Sequence, residues 1–405
     1  ALTAALGGAD ADIGDVADPY AAVSKLTSRM AGGELPPTVV QEILRILAKS
    51  ELPEMGVSAP AELAAREESA MNWFGRSTPA RVTPEQAADY FAARFGPGIT
   101  VHALSQLSGG FSKTTLLLSI QRPGEDPEQI VLRQISPGRD GHTLKREYDV
   151  VRYVWEQGGQ VAEPLWMESE ENSLGGPFFA SRRALGSNLG DVFGPQTGTG
   201  PEAARGLALA LGRIHAIPVG GLPETPVPSM STRDELRAAI DEQRTLVEGV
   251  AAIAGEAINP LHDLLFDWLQ EHVPNRAFRN TLLHGDPGFH NMLVHENALT
   301  AMLDWERARV GDPVQDLAYV RPHVTKVQPW SEFLDAYCAA GGRYPDEDTL
   351  HFYSVWHDAW RFAGAYRGLA RLSTQPRTLL DGVLGLLHAP RFLMSGVETA
   401  YGVAL

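Results

Sequence analysis

Residues 282–293 read LLHGDPGFHNML: two leucines, then His284, Asp286 and Asn291 set among glycine and proline, before apolar residues resume. Apolar residues on both sides of a Gly/Pro-rich turn mark two short strands joined by a loop. Asn291 follows Asp286 by five positions, so this loop carries a carboxylate near its start and a neutral amide oxygen at its end. The next stretch, ALTAMLDWE at 298–306, reads as a further short strand that ends in Asp304. Adjacent hairpin strands would bring Asp286, Asn291 and Asp304 to one edge. That set suits phosphoryl transfer: a carboxylate to take the proton of an acceptor hydroxyl, and hard oxygen ligands for Mg2+.

The order of elements around this loop predicts an α+β chain. Upstream, VHALSQLSGGFSKTTLLLSIQ (101–121) and QIVLRQIS (129–136) flank the turn-rich RPGEDPE, the pattern of an antiparallel sheet. A helical pattern follows in HTLKREYDVVRYVWEQG (142–158), then a short strand in GGPFFASRRALG (175–186). Beyond residue 200 apolar residues recur at helical spacing, from PEAARGLALALGRIHAI to the final TLLDGVLGLLHAPRFLMSGV, apart from the β interruptions around the loop. The start signals of a helix, Thr before Pro with Glu soon after, open TPEQAADYFAARF at Thr83. We therefore expect a helical N-terminal extension over 1–79, a small antiparallel-sheet lobe over 80–183, and a larger, mostly helical lobe over 184–405, with a cleft between the lobes.

Composition narrows the function. With 34 Lys plus Arg against 50 Asp plus Glu, the net charge of −16 repels phosphate backbones and anionic membranes, so neither nucleic acid nor a membrane is an expected partner. No stretch reaches the roughly 20 apolar residues that span a bilayer. Cys338, the single cysteine, cannot form an internal disulfide, and no Cys/His cluster has zinc-ligand spacing. The expectation is a soluble, cytoplasmic protein.

Two further features lie in the sheet lobe. In LSGGFSKTT (107–115), paired glycines between β segments either make a plain hairpin turn or let the backbone approach a ligand and turn amide groups toward anionic oxygens, the reading that singles out Ser108, Gly109, Gly110 and Ser112. Arg133 ends an apolar strand and Glu147 lies in the next helix; a strand cation held by a helix carboxylate is how protein kinases grip the α and β phosphates of ATP, although there the cation is Lys. The Asp286-to-Asn291 spacing is likewise that of the kinase catalytic loop.

Together HGDPGFHN, LDWE and GDPVQDLAY resemble the phosphotransferase superfamily of aminoglycoside phosphotransferases, choline kinases and related small-molecule kinases. The resemblance covers roughly residues 80–390. LSGGFSKTT is similar to that family's nucleotide loop. VLRQI with REY, and RFAGAYRGLARL near the C-terminus, resemble the branch fused to some acyl-CoA dehydrogenases, where Arg often stands at the usual Lys position. The resemblance implies a protein-kinase-like two-lobe fold with 80–183 as the nucleotide-binding lobe. It further implies that Asp286 is catalytic, that Asn291 and Asp304 bind Mg2+, and that Arg133 with Glu147 holds ATP. Adenine would lie against the segment between lobes, near Phe178 to Arg183.

Other polar residues read as structural. His284 holds the loop by hydrogen bonds, while Asp312 and Asp316 cap and anchor the helix that begins beside them. Glu306 is either a second metal ligand or a solvated carboxylate. Trp356, Trp360, Arg361 and Arg367 lie on or near one face of a late helix that reads mostly as core; in this fold class, however, such helices line the acceptor pocket, and an aromatic wall with Arg suits a partly apolar acceptor bearing an anionic group. The expected activity is ATP- and Mg2+-dependent phosphorylation of a hydroxyl on a small molecule, with a hydroxy acid, hydroxyacyl thioester or hydrophobic alcohol favoured. The charge of −16 supports instead a cationic acceptor, an aminoglycoside or amino alcohol. A third reading, from Arg133 in place of Lys and the N-terminal extension, is a catalytically weak ATP-binding regulatory module, because Arg and Lys are not interchangeable at such sites.

Overall fold

Thr83 opens the first helix, α1 (Pro84–Phe95), by a reciprocal cap: its hydroxyl accepts from the Gln86 amide at 3.2 Å, and Gln86 Oε1 accepts from the Thr83 amide at 2.9 Å. The partner is Gln86, not the glutamate beside it. Strands β1 (Thr100–Leu107), β2 (Lys113–Gln121) and β3 (Glu128–Ile135) follow, then α2 (Gly141–Glu156), β4 (Pro164–Glu168) and β5 (Phe178–Arg182). These strands form one antiparallel sheet in the order β1-β2-β3-β5-β4. Strand β4, in PLWME, has no clear alternation and was not expected from the sequence. In β2, alternate residues Leu116, Leu118 and Ile120 are buried, as the period of two requires.

The rest of the chain is mainly helical: α3 (Pro201–Ala216), α4 (Arg233–Ala254), α5 (Pro260–Glu271), β6 (Thr281–Leu283), β7 (Met292–His295), β8 (Ala298–Met302), β9 (Arg309–Gly311), α6 (Val314–Val324), α7 (Trp330–Ala339), α8 (Glu347–Thr374) and α9 (Leu379–Tyr401). This is the computed structural model of the chain, and it describes residues 82–403 apart from 108–112, 136–140, 171, 192–193, 223–226, 255–259, 277–278 and 375–378. The N-terminal extension expected over 1–79 and the loop of Ser108, Gly109, Gly110 and Ser112 fall outside the described residues. No helix among the described residues is long and apolar enough to cross a membrane.

The chain packs as two compact units. One comprises Ser77–Leu236 with Pro274–Ser354 and contains the sheet, α3, the short strands and α6 with α7. Here α1 lays Ala87, Tyr90 and Phe91 on one face of the sheet, against Leu118, Ile120, Ile130, Leu132, Trp166 and Phe178. On the other side Leu144 of α2 packs with Ile135 and Phe179. The other unit includes Arg237–Val273 and Val355–Leu405. Within it Leu265, Phe266 and Leu269 of α5 are buried, Ser395 Oγ donates to Asp358 Oδ2 at 2.7 Å, and Arg244 bridges Asp263 and Asp267 at 2.8 and 2.6 Å.

Phe91 is fully buried beneath the sheet. Truncation there removes an aromatic ring and leaves a cavity, so Phe91→Ala should cost about 3–5 kcal/mol, read as a lower urea midpoint of unfolding. An unchanged midpoint would contradict the packing described.

Candidate active site

Strand β6 delivers His284 and Asp286 into a loop that a helix holds from below. Asp316 of α6 is wholly buried, and its Oδ2 accepts from the His284 amide at 2.8 Å while its Oδ1 accepts from the Gly285 amide at 3.0 Å. Asp316 also faces His215 Nε2 at 3.1 Å, and His215 Nδ1 lies 2.8 Å from the Tyr337 hydroxyl. Asp316 thus anchors the loop, whereas Asp312, just before α6, accepts from the Val314 amide at 3.0 Å and from Arg276 Nη2 at 2.7 Å. Gly285 has φ of +85°, and a Cβ there would meet the Arg307 carbonyl oxygen at 2.3 Å, so glycine is the residue that fits.

His284 is also wholly buried; Nε2 lies 2.9 Å from the Leu303 carbonyl oxygen and Nδ1 lies 3.3 Å from the Asp286 amide, which fixes the Nε2–H tautomer. Burial holds its pKa below the ordinary value, so the ring is neutral and serves as a brace. Asn291 Nδ2 donates to the Asp286 carbonyl oxygen at 3.0 Å, closing the loop on itself and turning the amide so that Oδ1 is its remaining polar end. Asp286 Oδ1 is buried without a hydrogen-bond partner among the described residues, and His290 Nε2 stands 3.6 Å from it. Burial pushes the Asp286 carboxyl up, but His290, Arg307 and Tyr319 together outweigh it, so Asp286 is held well below the usual carboxylate range. It is an anion at neutral pH.

The strands after the loop bring in the second half of the site. The β7–β8 hairpin turns at Glu296 and Asn297, both with positive φ, and returns the chain to Asp304. Asp304 itself adopts the left-handed conformation, φ 63° and ψ 66°, which a non-glycine residue holds only where its surroundings impose it. Leu303, its neighbour, is tied down by its amide N–H, which donates to the Asn291 carbonyl oxygen at 2.7 Å. From the sheet, Arg133 Nη2 reaches Asp304 Oδ1 at 3.0 Å and Glu147 Oε1 at 3.6 Å. Arg133 and Glu147 are therefore partners, as their spacing in the sequence suggested. Carboxylate oxygens of Glu147, Asp304 and Glu306 lie within 4.8 Å of one another, so Glu306 belongs to the cluster. Lys113 joins them, with Nζ 2.8 Å from Glu147 Oε2 and 2.5 Å from Glu306 Oε2. Burial lowers the proton affinity of both cations, yet the surrounding carboxylates prevail and hold them charged.

The donor set fits a hard cation with polyphosphate: clustered carboxylate oxygens, an amide oxygen, and Arg133 Nε, a buried donor without an acceptor among the described residues.

Trp356, Trp360, Arg361 and Arg367 are on α8, in the other compact unit. Trp356 is 2% exposed and packs on Trp360 at 5.4 Å between ring centroids, a core position. Arg361 pairs with Asp358 at 3.6 Å and lies over the Phe392 ring, and Arg367 is exposed. The stretch Phe178–Arg182 is β5, whose backbone is spent on ladders with β3 and β4, and the Arg183 amide still donates to the Gln129 carbonyl oxygen of β3 at 3.0 Å. The sequence reading missed Lys113, His290 and the loop-anchoring role of Asp316. For Lys113 the signal was present: it shares its side of β2 with Thr115, which pairs with Arg133.

The sequence profile of the phosphotransferase enzyme family matches residues 103–353, a span that holds every member of this site. The chain belongs to that family. As a phosphotransferase-family chain it has the protein-kinase-like fold, with an antiparallel sheet followed by a mostly helical part. A solved Ralstonia eutropha protein, provisionally assigned as an aminoglycoside phosphotransferase, matches it with a TM-score of 0.62 at 20% identity, over 80% of this chain and 99% of that one. An aminoglycoside phosphotransferase solved in ternary complex with AMP-PNP and hygromycin B matches with a TM-score of 0.53 at 21% identity, over 78% of this chain and 99% of that one. Mouse acyl-CoA dehydrogenase family member 11 is 23% identical over 300 residues, 67% of this chain and 36% of the mouse protein. The phosphotransferase-family chain thus spans about a third of that relative's length.

The buried loop makes stability pH-dependent. A histidine held neutral contributes stability above its unfolded pKa of about 6.5 and loses it as pH falls below that value, because the unfolded chain then binds a proton that the folded ring does not. Asp286 and Asp316, both held low, contribute above the ordinary carboxylate range and lose it on further acidification. The melting temperature should therefore drop between pH 7.5 and 5.5, and His284→Asn should flatten this part of the curve. The same slope in both proteins would contradict the buried neutral ring.

Proposed function

We propose that the chain transfers the γ-phosphoryl group of ATP to a hydroxyl of a small organic molecule. The observation that carries this reading is the convergence, in a phosphotransferase-family chain, of an ionised Asp286, the Asn291 amide and the Asp304 carboxylate beside a buried cation cluster. Asp286 accepts the acceptor's hydroxyl proton through its unpartnered Oδ1 as the oxygen attacks phosphorus. The bond from the γ-phosphorus to the bridging oxygen breaks, and ADP leaves. Asn291 Oδ1 and Asp304 are the ligands we assign to Mg2+, which when bound neutralises phosphate charge. Arg133 with Glu147 belongs to the part of the site that would hold the nucleotide. Positioning and charge neutralisation supply most of the rate enhancement in such transfers.

The acceptor we favour is a hydroxyacyl thioester or a related hydroxy acid or hydrophobic alcohol. Support comes from the likeness to an acyl-CoA dehydrogenase family member rather than from Trp360, Arg361 or Arg367, which the reading does not use. The aminoglycoside and macrolide activities named for structural neighbours rest on a fold shared at about 20% identity and give less support. A regulatory module without transfer is disfavoured by the retention of Asp286, Asn291 and Asp304 in one constellation.

The test is incubation with ATP, Mg2+ and a panel of hydroxyacyl thioesters, hydroxy acids, hydrophobic alcohols, amino alcohols and aminoglycosides, read by mass spectrometry for a gain of one phosphate. A product is expected in the thioester or hydroxy acid class. Asp286→Asn keeps the shape and removes the base, so turnover should fall by about 10²–10⁴ with KM for ATP nearly unchanged. Undiminished turnover in that variant would remove Asp286 from the mechanism.

A further inference from the structure

The β2–β3 register sets two cations side by side. Thr115 pairs with Arg133 and Lys113 with Ile135, so Lys113 and Arg133 sit diagonally on the same face of the sheet. That face meets α2, where Glu147 is 1% exposed and receives both: Lys113 at 2.8 Å on one oxygen, Arg133 at 3.6 Å on the other. A strand cation paired with a helix carboxylate needs one cation, and this chain has two. Their surroundings differ. Arg133 spans Glu147 and Asp304, so its planar fork bridges the sheet to the turn that carries Asp304. Lys113 is a compact charge on a flexible stem with three rotatable donors, 5% exposed, ringed by Glu147, Glu306 and, at 3.9 Å, Asp304.

We propose that Lys113 supplies the ammonium that contacts the nucleotide's phosphates, and that Arg133 acts chiefly as the brace tying Glu147 to Asp304. The inference rests on the phosphotransferase reading above. Geometry favours it: Lys113 Nζ is held by Glu306 and, at 3.9 Å, by Asp304, both in the carboxylate cluster that would hold a divalent ion, so carboxylates committed to such an ion would leave the ammonium available to phosphate. The ammonium on β2 also answers the difficulty raised by Arg on β3, since the point charge lost at one strand is present on its neighbour. A Lys113 that merely compensates buried carboxylates would matter for stability and leave nucleotide affinity unchanged in a folded variant.

The test uses the full chain and two readouts. The first is an acyl phosphate of ATP: a lysine amine beside the phosphates attacks the acyl carbon, an amide forms, the acyl–phosphate bond breaks and ATP leaves. Peptide mapping should place the acyl group on Lys113, with labelling suppressed by excess Mg-ATP. The second is fluorescence titration with a methylanthraniloyl-ATP in the presence of Mg2+. Lys113→Met should weaken binding about 10- to 100-fold, the equivalent of one to two charge-assisted hydrogen bonds. Lys113→Arg should recover part of that loss, and the exposed Glu125→Gln on the β2–β3 turn should bind as the parent does. Nucleotide binding by the parent without acylation of Lys113, or full affinity in Lys113→Met, overturns the role given to Lys113 and leaves the phosphotransferase reading standing. Failure of the parent chain to bind the fluorescent nucleotide at all overturns that reading, and this inference with it.

Discussion

Everything at this site depends on charges that are kept together around two, Lys113 and Glu147, that are nearly out of water. Lys113 and Arg133 from the sheet, Glu147 from α2, and Asp304 with Glu306 from the turn after β8 are held within a few ångströms, and Glu147 and Lys113 are nearly sealed from solvent. Taking such groups from water costs several kcal/mol per ion, and the cost is offset only when partners and geometry are good. Hydrophobic packing could close the same space more cheaply. That the chain instead gathers five charges where its two halves of sequence meet is the behaviour of a site for a charged ligand, in which stability is subordinate to recognition.

The loop after β6 shows the same division between rigid support and unrelieved groups. Asp316, His215 and Tyr337 form a buried polar chain that holds the His284 and Gly285 amides, and every one of these groups has a hydrogen-bond partner. Against that rigid base stand two unrelieved features: the unpartnered Oδ1 of Asp286 and the left-handed backbone of Asp304. Both are locally unfavourable, one on the loop after β6 and the other on the turn after β8. Preorganised acceptors of this kind need no rearrangement when charge develops on a reacting group.

Much of this could be read from residue order. The alternation in KTTLLLSIQ and the Gly/Pro turn after it define the β2–β3 hairpin because strand period and turn chemistry are local properties. The spacing from Asp286 to Asn291 is legible for a similar reason: one loop must span a fixed gap. What escaped were features set by tertiary packing. Strand β4 owes its existence to its pairing with β5, Ser229–Met230 is held by β9, and neither has a pattern of its own. Asp316 looks in sequence like one more acidic residue near a helix start, and only the fold turns it toward the loop. Lys113 stood inside a quoted motif, but its relation to Arg133 needs the hairpin register. Trp356 shows the reverse case, since an aromatic on a helix face reads alike whether it meets a ligand or, as here, the core.

Calorimetric titration of ATP into the chain, with and without Mg2+ and in parallel for Asp304→Ala, tests most directly whether the five-charge cluster is a metal-nucleotide site. ATP should bind the parent measurably only when Mg2+ is present, and Asp304→Ala should abolish the difference by removing a metal ligand. Equal binding with and without the metal in both proteins would contradict that assignment.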